Sequence, residues 1–241
     1  NTYLGSSIAA GGILAVDGSV AGDAYSVESG VLAGAGTING NVYNKNALLP
    51  GTYAVNSILD TQPAYQPGDL HIQGNLYSSG TLLVTAKGTE NSKLIVGGSS
   101  NLAGSTLDVA DSTALPLINH QYNYLTSQGG ITGNVTTQAV SPYVSLAGTV
   151  AGNNAYFTAS QIQTLGNLPG MTASENSVGT ALNKRLLENV QTSPDSNAVQ
   201  TLNAMLYQSD ADSRQLMRQV TGEARAQILT ASPLSSLTSQ S

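Results

Sequence analysis

The chain has 241 residues, with charged side chains at only 9%, against the roughly 25% of an ordinary soluble domain. Its formal net charge is −6, and Lys45, Lys87 and Lys93 are the only cations before residue 184, which excludes the basic footprint of a nucleic-acid-binding protein. The absence of cysteine excludes a disulfide framework and any thiolate metal site, and no run reaches the ~20 apolar residues of a membrane-spanning helix.

Twenty-six glycines, many Ser, Thr and Asn, and no Trp indicate extended β structure with tight corners. No charged n-region followed by an apolar h-region opens the chain. It begins within its own pattern, at Asn1-Thr2-Tyr3, and reads as a fragment of a longer polypeptide.

Residues 1–115 are strand-rich and punctuated by glycine. Ile13-Leu14-Ala15-Val16, Val31-Leu32, Thr37-Ile38 and Asn41-Val42-Tyr43 are short strand candidates. Pro50-Gly51 and Pro67-Gly68 bracket residues 52–66, which predicts a loop pushed out of the regular structure. Leu70-His71-Ile72, Leu82-Leu83-Val84, Leu94-Ile95-Val96 and Leu107-Asp108-Val109 then begin 12, 12 and 13 residues apart. Short strands at near-constant spacing predict a coiled stack of rungs, paired in parallel, with inward Leu, Ile and Val in columns. Such a repeat is a scaffold.

Residues 116–170 carry larger side chains and longer β runs: Tyr122–Leu125, Ile131–Thr136, Tyr143–Leu146 and Ala155–Ala159. Tyr122, Tyr124, Tyr143, Tyr156 and Phe157 predict the core of a β module that closes the stack, in preference to an aromatic platform for carbohydrate. The last unit of a repeat otherwise exposes an apolar face and an unpaired strand edge.

Residues 171–241 change period to about 3.6. Thr172 and Glu175 have the offset of a capping box, and Val178, Leu182, Leu186 and Val190 follow at spacing four. Ser193-Pro194 reads as N-cap and first residue of a second helix. Asp210 or Asp212 caps a third, with Leu216, Val220 and Ile228 on one face. The stripe at 178–190 is a packing face, since Lys184 and Arg185 are too few cations for a membrane-surface helix.

No catalytic, cofactor or metal constellation is expected. His71, between Leu70 and Ile72, turns to the polar face by alternation, and His120 lies beside Asn119 and Gln121. No Gly-x-Ser-x-Gly elbow carries an assignable Asp and His. Asp108 and Asp111 lack the nonapeptide array of a calcium-binding β-roll. Gly129-Gly130 and Gly152-Asn153-Asn154 are turns, not phosphate loops, because no Lys-Ser/Thr follows them. Neither a nucleic acid nor a small-molecule substrate is an expected partner.

Four stretches together resemble the C-terminal part of a type V autotransporter passenger. Asn1-Thr2-Tyr3-Leu4-Gly5 through Gly11-Gly12-Ile13-Leu14-Ala15-Val16-Asp17-Gly18 is similar to the passenger-associated transport repeat. Gly34-Ala35-Gly36-Thr37-Ile38-Asn39-Gly40-Asn41-Val42, with Leu49-Pro50-Gly51, resembles passenger rungs. Tyr124-Leu125-Thr126, Gly129-Gly130-Ile131-Thr132-Gly133 and Gly152-Asn153-Asn154-Ala155-Tyr156-Phe157-Thr158 resemble the autochaperone module. Val220-Thr221-Gly222-Glu223-Ala224-Arg225-Ala226 is similar to the Gly-Glu-Ala segment that precedes the membrane barrel. Ser92-Lys93 departs from the family's acidic residue before the strand at Leu94.

The resemblance implies a mainly β fold: a right-handed parallel β-helix, a β capping module that includes Leu125, Gly129, Gly130, Ile131, Gly133, Asn153 and Asn154, and a C-terminal helical segment. It implies a cell-surface, outer-membrane or secreted protein of a Gram-negative bacterium. The partner would be the outer-membrane β-barrel of the same polypeptide, and the cap would fold first outside the cell. A helix over Ser213–Ser232, carrying Leu216, Val220, Gly222, Glu223 and Ile228, would pass through the barrel lumen; three short helices packing on one another would equally satisfy its apolar face. Two further readings follow: a stem of an adhesin or self-association factor that meets host surfaces, or a scaffold below an upstream subtilase-like protease domain.

Overall fold

A computed structural model describes residues 5–54, 64–110 and 115–221. The protein is mainly β, with a curled parallel sheet followed by a C-terminal helical segment. Pairing register defines three ladders. In the first, Ala24, Val42, Leu76, Ser100 and Ile131 are successive partners. In the second, Leu32, Leu48, Leu82, Leu107 and Thr137 follow one another. The third sets Ile38 beside Ile72 and Ile72 beside Val96, with Leu70, Leu94 and Leu125 in the neighbouring column. The chain visits the three ladders in turn. The long strand Ala24–Gly34 serves two of them and turns at Glu28, whose φ is 55°.

The 12-residue rhythm proves to be half of a circuit. Leu70 pairs with Leu94, and Leu82 pairs with Leu107. The triplets therefore alternate between the third and second ladders, and the first ladder is built here from strands that the spacing does not show, Leu76–Ser78 and Ser100–Asn101. Those strands are hard to see because their inward residues include serines.

Apolar columns fill the interior: Leu32, Leu48, Ile38, Leu70, Ile72, Leu76, Leu82, Leu94 and Leu107 are all buried. Each added strand contributes burial at ~25 cal/mol per Å² of apolar area. One buried column is polar. Ser26, Asn44 and Ser78 are register partners. The Ser26 hydroxyl donates to Asn44 Oδ1 at 2.6 Å, Asn44 Nδ2 to Ser78 Oγ at 3.0 Å, and Ser105 Oγ to Ser78 Oγ at 2.8 Å. Mutual pairing removes the penalty of burying these groups.

The corners before the first ladder repeat a Gly-Asx device. Asp23 Oδ1 accepts from the backbone N–H of Asn41 at 2.7 Å, Asn41 Oδ1 from that of Asn75 at 2.9 Å, and Asn75 Oδ1 from that of Ser99 at 2.8 Å. The residue before each acceptor-bound N–H is glycine, at 40, 74 and 98, because the side chain of the preceding circuit lies over it. A Cβ on Gly74 would meet both Asn41 Oδ1 and Gly40 O at 2.7 Å.

Among the described residues, two antiparallel hairpins leave the ladders. Thr52–Ala54 pairs antiparallel with Ala64–Gln66, so the expected loop over 52–66 has a two-stranded base. Ala86–Lys87 pairs with Glu90–Asn91. Buried Ser92 closes the second excursion by accepting from Thr85 N–H at 3.0 Å. His71 sits half-buried between Leu70 and Ile72, both buried, as alternation requires.

Helices α1 (Ala173–Asn189), α2 (Asn197–Met205) and α3 (Asp210–Thr221) follow. The Thr172–Glu175 capping box is formed. Helix α2 starts later than Ser193-Pro194 predicts. Ser193 N–H still bonds Asn189 O at the end of α1, Ser196 N–H bonds Ser193 O, and Ser196 is the N-cap. At α3 the Ser209 hydroxyl, not an aspartate, receives the first-turn N–H of Asp212 at 3.2 Å.

The corner device sets a clear expectation. Gly74→Ala lowers stability by about 1–3 kcal/mol through overpacking, whereas Gly18→Ala, with nothing within 4 Å and no left-handed φ, leaves it unchanged. Urea midpoints of the two variants check this.

Candidate functional site

The third ladder ends its parallel pairing at Gln121–Ser127. On one edge this strand pairs parallel, Leu125 beside Leu94; on the other it pairs antiparallel, Tyr122 beside Phe157. Asn154–Gln161 then pairs along its whole length with Val144–Ala151. The module is an antiparallel lid whose first strand belongs to both systems. A bulge between Asn123 and Leu125 absorbs the change of register. The hairpin turn places Gly152, with φ 61°, at its first position, where a tight two-residue turn needs a residue that tolerates positive φ.

The largest fully buried side chains of the lid are Tyr122, Tyr124, Tyr143 and Phe157. The Tyr122 and Phe157 rings stack at 5.0 Å, Tyr124 tilts against Phe157 at 6.1 Å, and His120 meets Tyr122 edge-on at 4.5 Å. Tyr156 differs from the sequence expectation. It alternates to the opposite face of its strand from Phe157 and is half-buried. Its neighbour Asn154 organises that face, its Oδ1 accepting from Asn123 Nδ2 at 3.0 Å and from Thr126 Oγ1 at 2.8 Å. Asn153 O accepts from Ser127 N–H at 2.9 Å.

Gly129, Gly130, Ile131 and Gly133 lie in the last parallel circuit rather than in the antiparallel lid. Ile131–Thr132 pairs with Ser100–Asn101. The expected run Ile131–Thr136 is broken because Gly133, with φ 75°, turns the chain there; a Cβ at this position would lie 2.6 Å from Ala103 N.

Tyr122 ties the lid to its surroundings. Its hydroxyl donates to Gly88 O at 2.6 Å and accepts from Leu117 N–H at 2.9 Å, joining the 86–91 hairpin to the segment before the lid. Helix α2 docks on that same segment. Asn203 Oδ1 accepts from Ile118 N–H at 3.1 Å, Asn203 Nδ2 donates to Pro116 O at 2.9 Å, and Tyr207 donates to Pro116 O at 2.7 Å. A buried asparagine thus serves one backbone donor and one backbone acceptor, as a neighbouring strand would. Nothing in local spacing marks Asn203 for this role.

The helices share the apolar core of the β structure: Leu186, Val190, Val199, Leu202, Met205, Leu206 and Met217 join Tyr122, Phe157, Leu165 and Leu168 in one cluster. The buried stripe of α1 is Glu175, Gly179, Asn183 and Leu186, with Val178 and Leu182 only partly buried beside it. The spacing-four reading missed this because three of those four are not apolar. A Cβ on Gly179 would lie 2.6 Å from Leu165 O, so the glycine permits the crossing. Gln161 Nε2 bonds Asn183 Oδ1 at the same junction.

The described part of the expected lumen helix packs within the molecule. Ser213 and Met217 are fully buried, Leu216 is packed partly, and Arg218 pairs with buried Glu175 at 3.0 Å. Val220 belongs to α3. Gly222, Glu223 and Ile228 lie outside the described residues.

Burial pushes the hydroxyls of Tyr122, Tyr124 and Tyr207 far above the usual 10.0, and that of Tyr143, which faces Ser213 and Asp210, up to about 12. At the other extreme, the backbone N–H of Thr172 lowers the Glu175 carboxyl against its own desolvation, and Arg218 assists. Among the described residues no three His, Asp or Glu come together as metal ligands. No described helix is long and apolar enough to cross a membrane. The site has the make-up of a packing surface: a paired β edge and an aromatic core. Comparison of the chain with protein-family models finds no match, and neither does comparison with curated proteins.

The two tyrosines at the centre of the lid separate packing from hydrogen bonding. Tyr122→Phe strands Gly88 O and Leu117 N–H and costs about 1–3 kcal/mol. Tyr124→Phe removes a buried hydroxyl with no hydrogen-bond partner among the described residues and costs nothing or stabilises; urea denaturation of both variants checks the contrast. The pH dependence has a definite sign. Above pH 10 the unfolded chain releases phenolic protons that the folded chain keeps, so stability holds below that pH and falls as pH rises through the folded values. Denaturation midpoints between pH 9 and 12 read this decline, which is shallower in Tyr124→Phe.

Proposed function

We propose that the chain is the C-terminal part of an autotransporter-like passenger of a Gram-negative bacterium. Its stem is a right-handed parallel β-helix, and its lid nucleates folding of that stem outside the cell. The observation that carries this reading is the strand Gln121–Ser127, parallel-paired on one edge and antiparallel-paired on the other. A strand held by an aromatic lid presents an ordered edge on which the preceding circuit pairs. Parallel ladders visited in turn suit the right hand that twisted strands favour between parallel partners. Low charge, no cysteine and a long hydrogen-bonded stack suit a protein displayed outside the cell.

In this reading no chemistry is performed by these residues. Folding of the stem on the lid biases threading outward, through the outer-membrane barrel of the same polypeptide. A second reading, a stem that itself adheres to surfaces, is favoured by the outward tyrosine column of the first ladder.

The test is export of the chain joined to an outer-membrane β-barrel in a Gram-negative host. Deleting residues 116–168 is expected to leave the surface chain protease-sensitive or stalled in the envelope. Full secretion of a folded, protease-resistant deletion would sink the proposal.

A further inference from the structure

Tyr25, Tyr43 and Tyr77 occupy one register column on the outer face of the first ladder. Their rings stack at 4.8 and 5.1 Å, within 9° and 15° of parallel. Stacking covers the inner ring faces and leaves the outer face of the last ring. The next residue in the column is Asn101, too short to cover a phenol, and Tyr77 is 42% exposed. A cleft of about 190 Å³ opens there, lined by Tyr43, Lys45, Tyr77, Ser79, Asn101 and Ala103.

The rim of the cleft is polar. Asn101 Oδ1 accepts from Ala103 N–H at 3.0 Å, which leaves its Nδ2 as a donor. Ser79 and Lys45 are exposed, and Lys45 belongs to neither ion pair found among the described residues.

The occupant must match a rigid aromatic face, a few hydroxyl-directed groups and one unpaired cation. An extended peptide is disfavoured, because Val42–Asn44 and Leu76–Ser78 already pair on both edges and offer no strand addition. A nucleic acid is disfavoured because one lysine on a chain of net charge −6 cannot neutralise a run of phosphates. A pyranose ring fits: its apolar C–H face lies on an aromatic ring, and its hydroxyls bond amides and hydroxyls. We propose that this cleft binds an acidic, uronate-containing saccharide, with Tyr77 beneath the sugar, Asn101 and Ser79 on its hydroxyls and Lys45 on its carboxylate. The site stands independently of the export reading, since binding is measured on the isolated chain.

Calorimetric titration with a hyaluronan octasaccharide, which alternates glucuronate with N-acetylglucosamine, tests the proposal against an uncharged chito-oligosaccharide of equal length. Hyaluronan is expected to bind more tightly, and Tyr77→Ala to weaken it about tenfold. Tyr77→Phe, which keeps the ring, is expected to retain most of the affinity. Lys45→Gln is expected to cost about threefold to fivefold for hyaluronan alone, the worth of one exposed ion pair, with added salt acting the same way. Both side chains are exposed, so thermal midpoints of the variants confirm an intact fold. Equal binding of the two saccharides, hyaluronan binding indifferent to Tyr77→Ala, or no binding at millimolar saccharide each overturns the proposal. So does concentration-dependent self-association that Tyr77→Ala abolishes, which would assign the face to a second copy of the chain.

Discussion

A parallel ladder always ends in a strand whose outer N–H and C=O groups have no partner, and that edge invites pairing with other chains. The part of the molecule after residue 116 is arranged around this constraint. Gln121–Ser127 accepts its parallel neighbour and then gives its free edge to an antiparallel strand, and Val144–Ala151 covers that strand in turn. The aromatic side chains concentrate where the change of direction occurs, because bulk is needed where the narrow apolar columns stop. Tyr122 is central for two reasons: its ring fills the junction, and its hydroxyl satisfies two backbone groups that no ladder reaches.

The body of the stack obeys the same bookkeeping of hydrogen bonds at its corners. Between strands the backbone leaves the ladder, and its N–H groups need other acceptors. Asp23, Asn41 and Asn75 supply them from one circuit to the next. The cost is steric, and glycine at 40, 74 and 98 meets it. Inside, the Ser26–Asn44–Ser78 column shows that a buried polar row is tolerable when each member bonds its register partner. Such a row also opposes slippage, since a shift of one residue would set every hydroxyl against an apolar side chain.

The helical segment completes the lid. Asn203 treats the backbone at Pro116 and Ile118 as a strand would. Glu175, held by its own N-terminal cap and by Arg218, joins α1 to α3. Removing the helices would expose Leu165, Leu168 and the far side of the tyrosine cluster. Membrane export through a barrel therefore requires, in the proposed function, that these contacts form only after the chain has emerged.

Much of the architecture was legible in the residues. Apolar triplets separated by glycine and asparagine required short buried strands with tight corners. The rise in aromatic size after residue 120 marked side chains that are buried, Tyr122, Tyr124, Tyr143 and Phe157, and the Thr172–Glu175 offset marked where helices begin. These are local properties: side-chain alternation, turn chemistry and capping act within a few residues. Pairing partners were not legible, because hydrogen bonds between strands depend on which circuit lies beside which. Hence only the tertiary structure decided that the 12-residue rhythm is half a circuit, that Tyr156 turns away from the lid's core, that Gly179 and Asn203 are docking residues, and that Tyr25, Tyr43 and Tyr77 stand in one stack. Each of these depends on which residues far apart in sequence come to lie side by side, and local spacing and propensity do not carry that information.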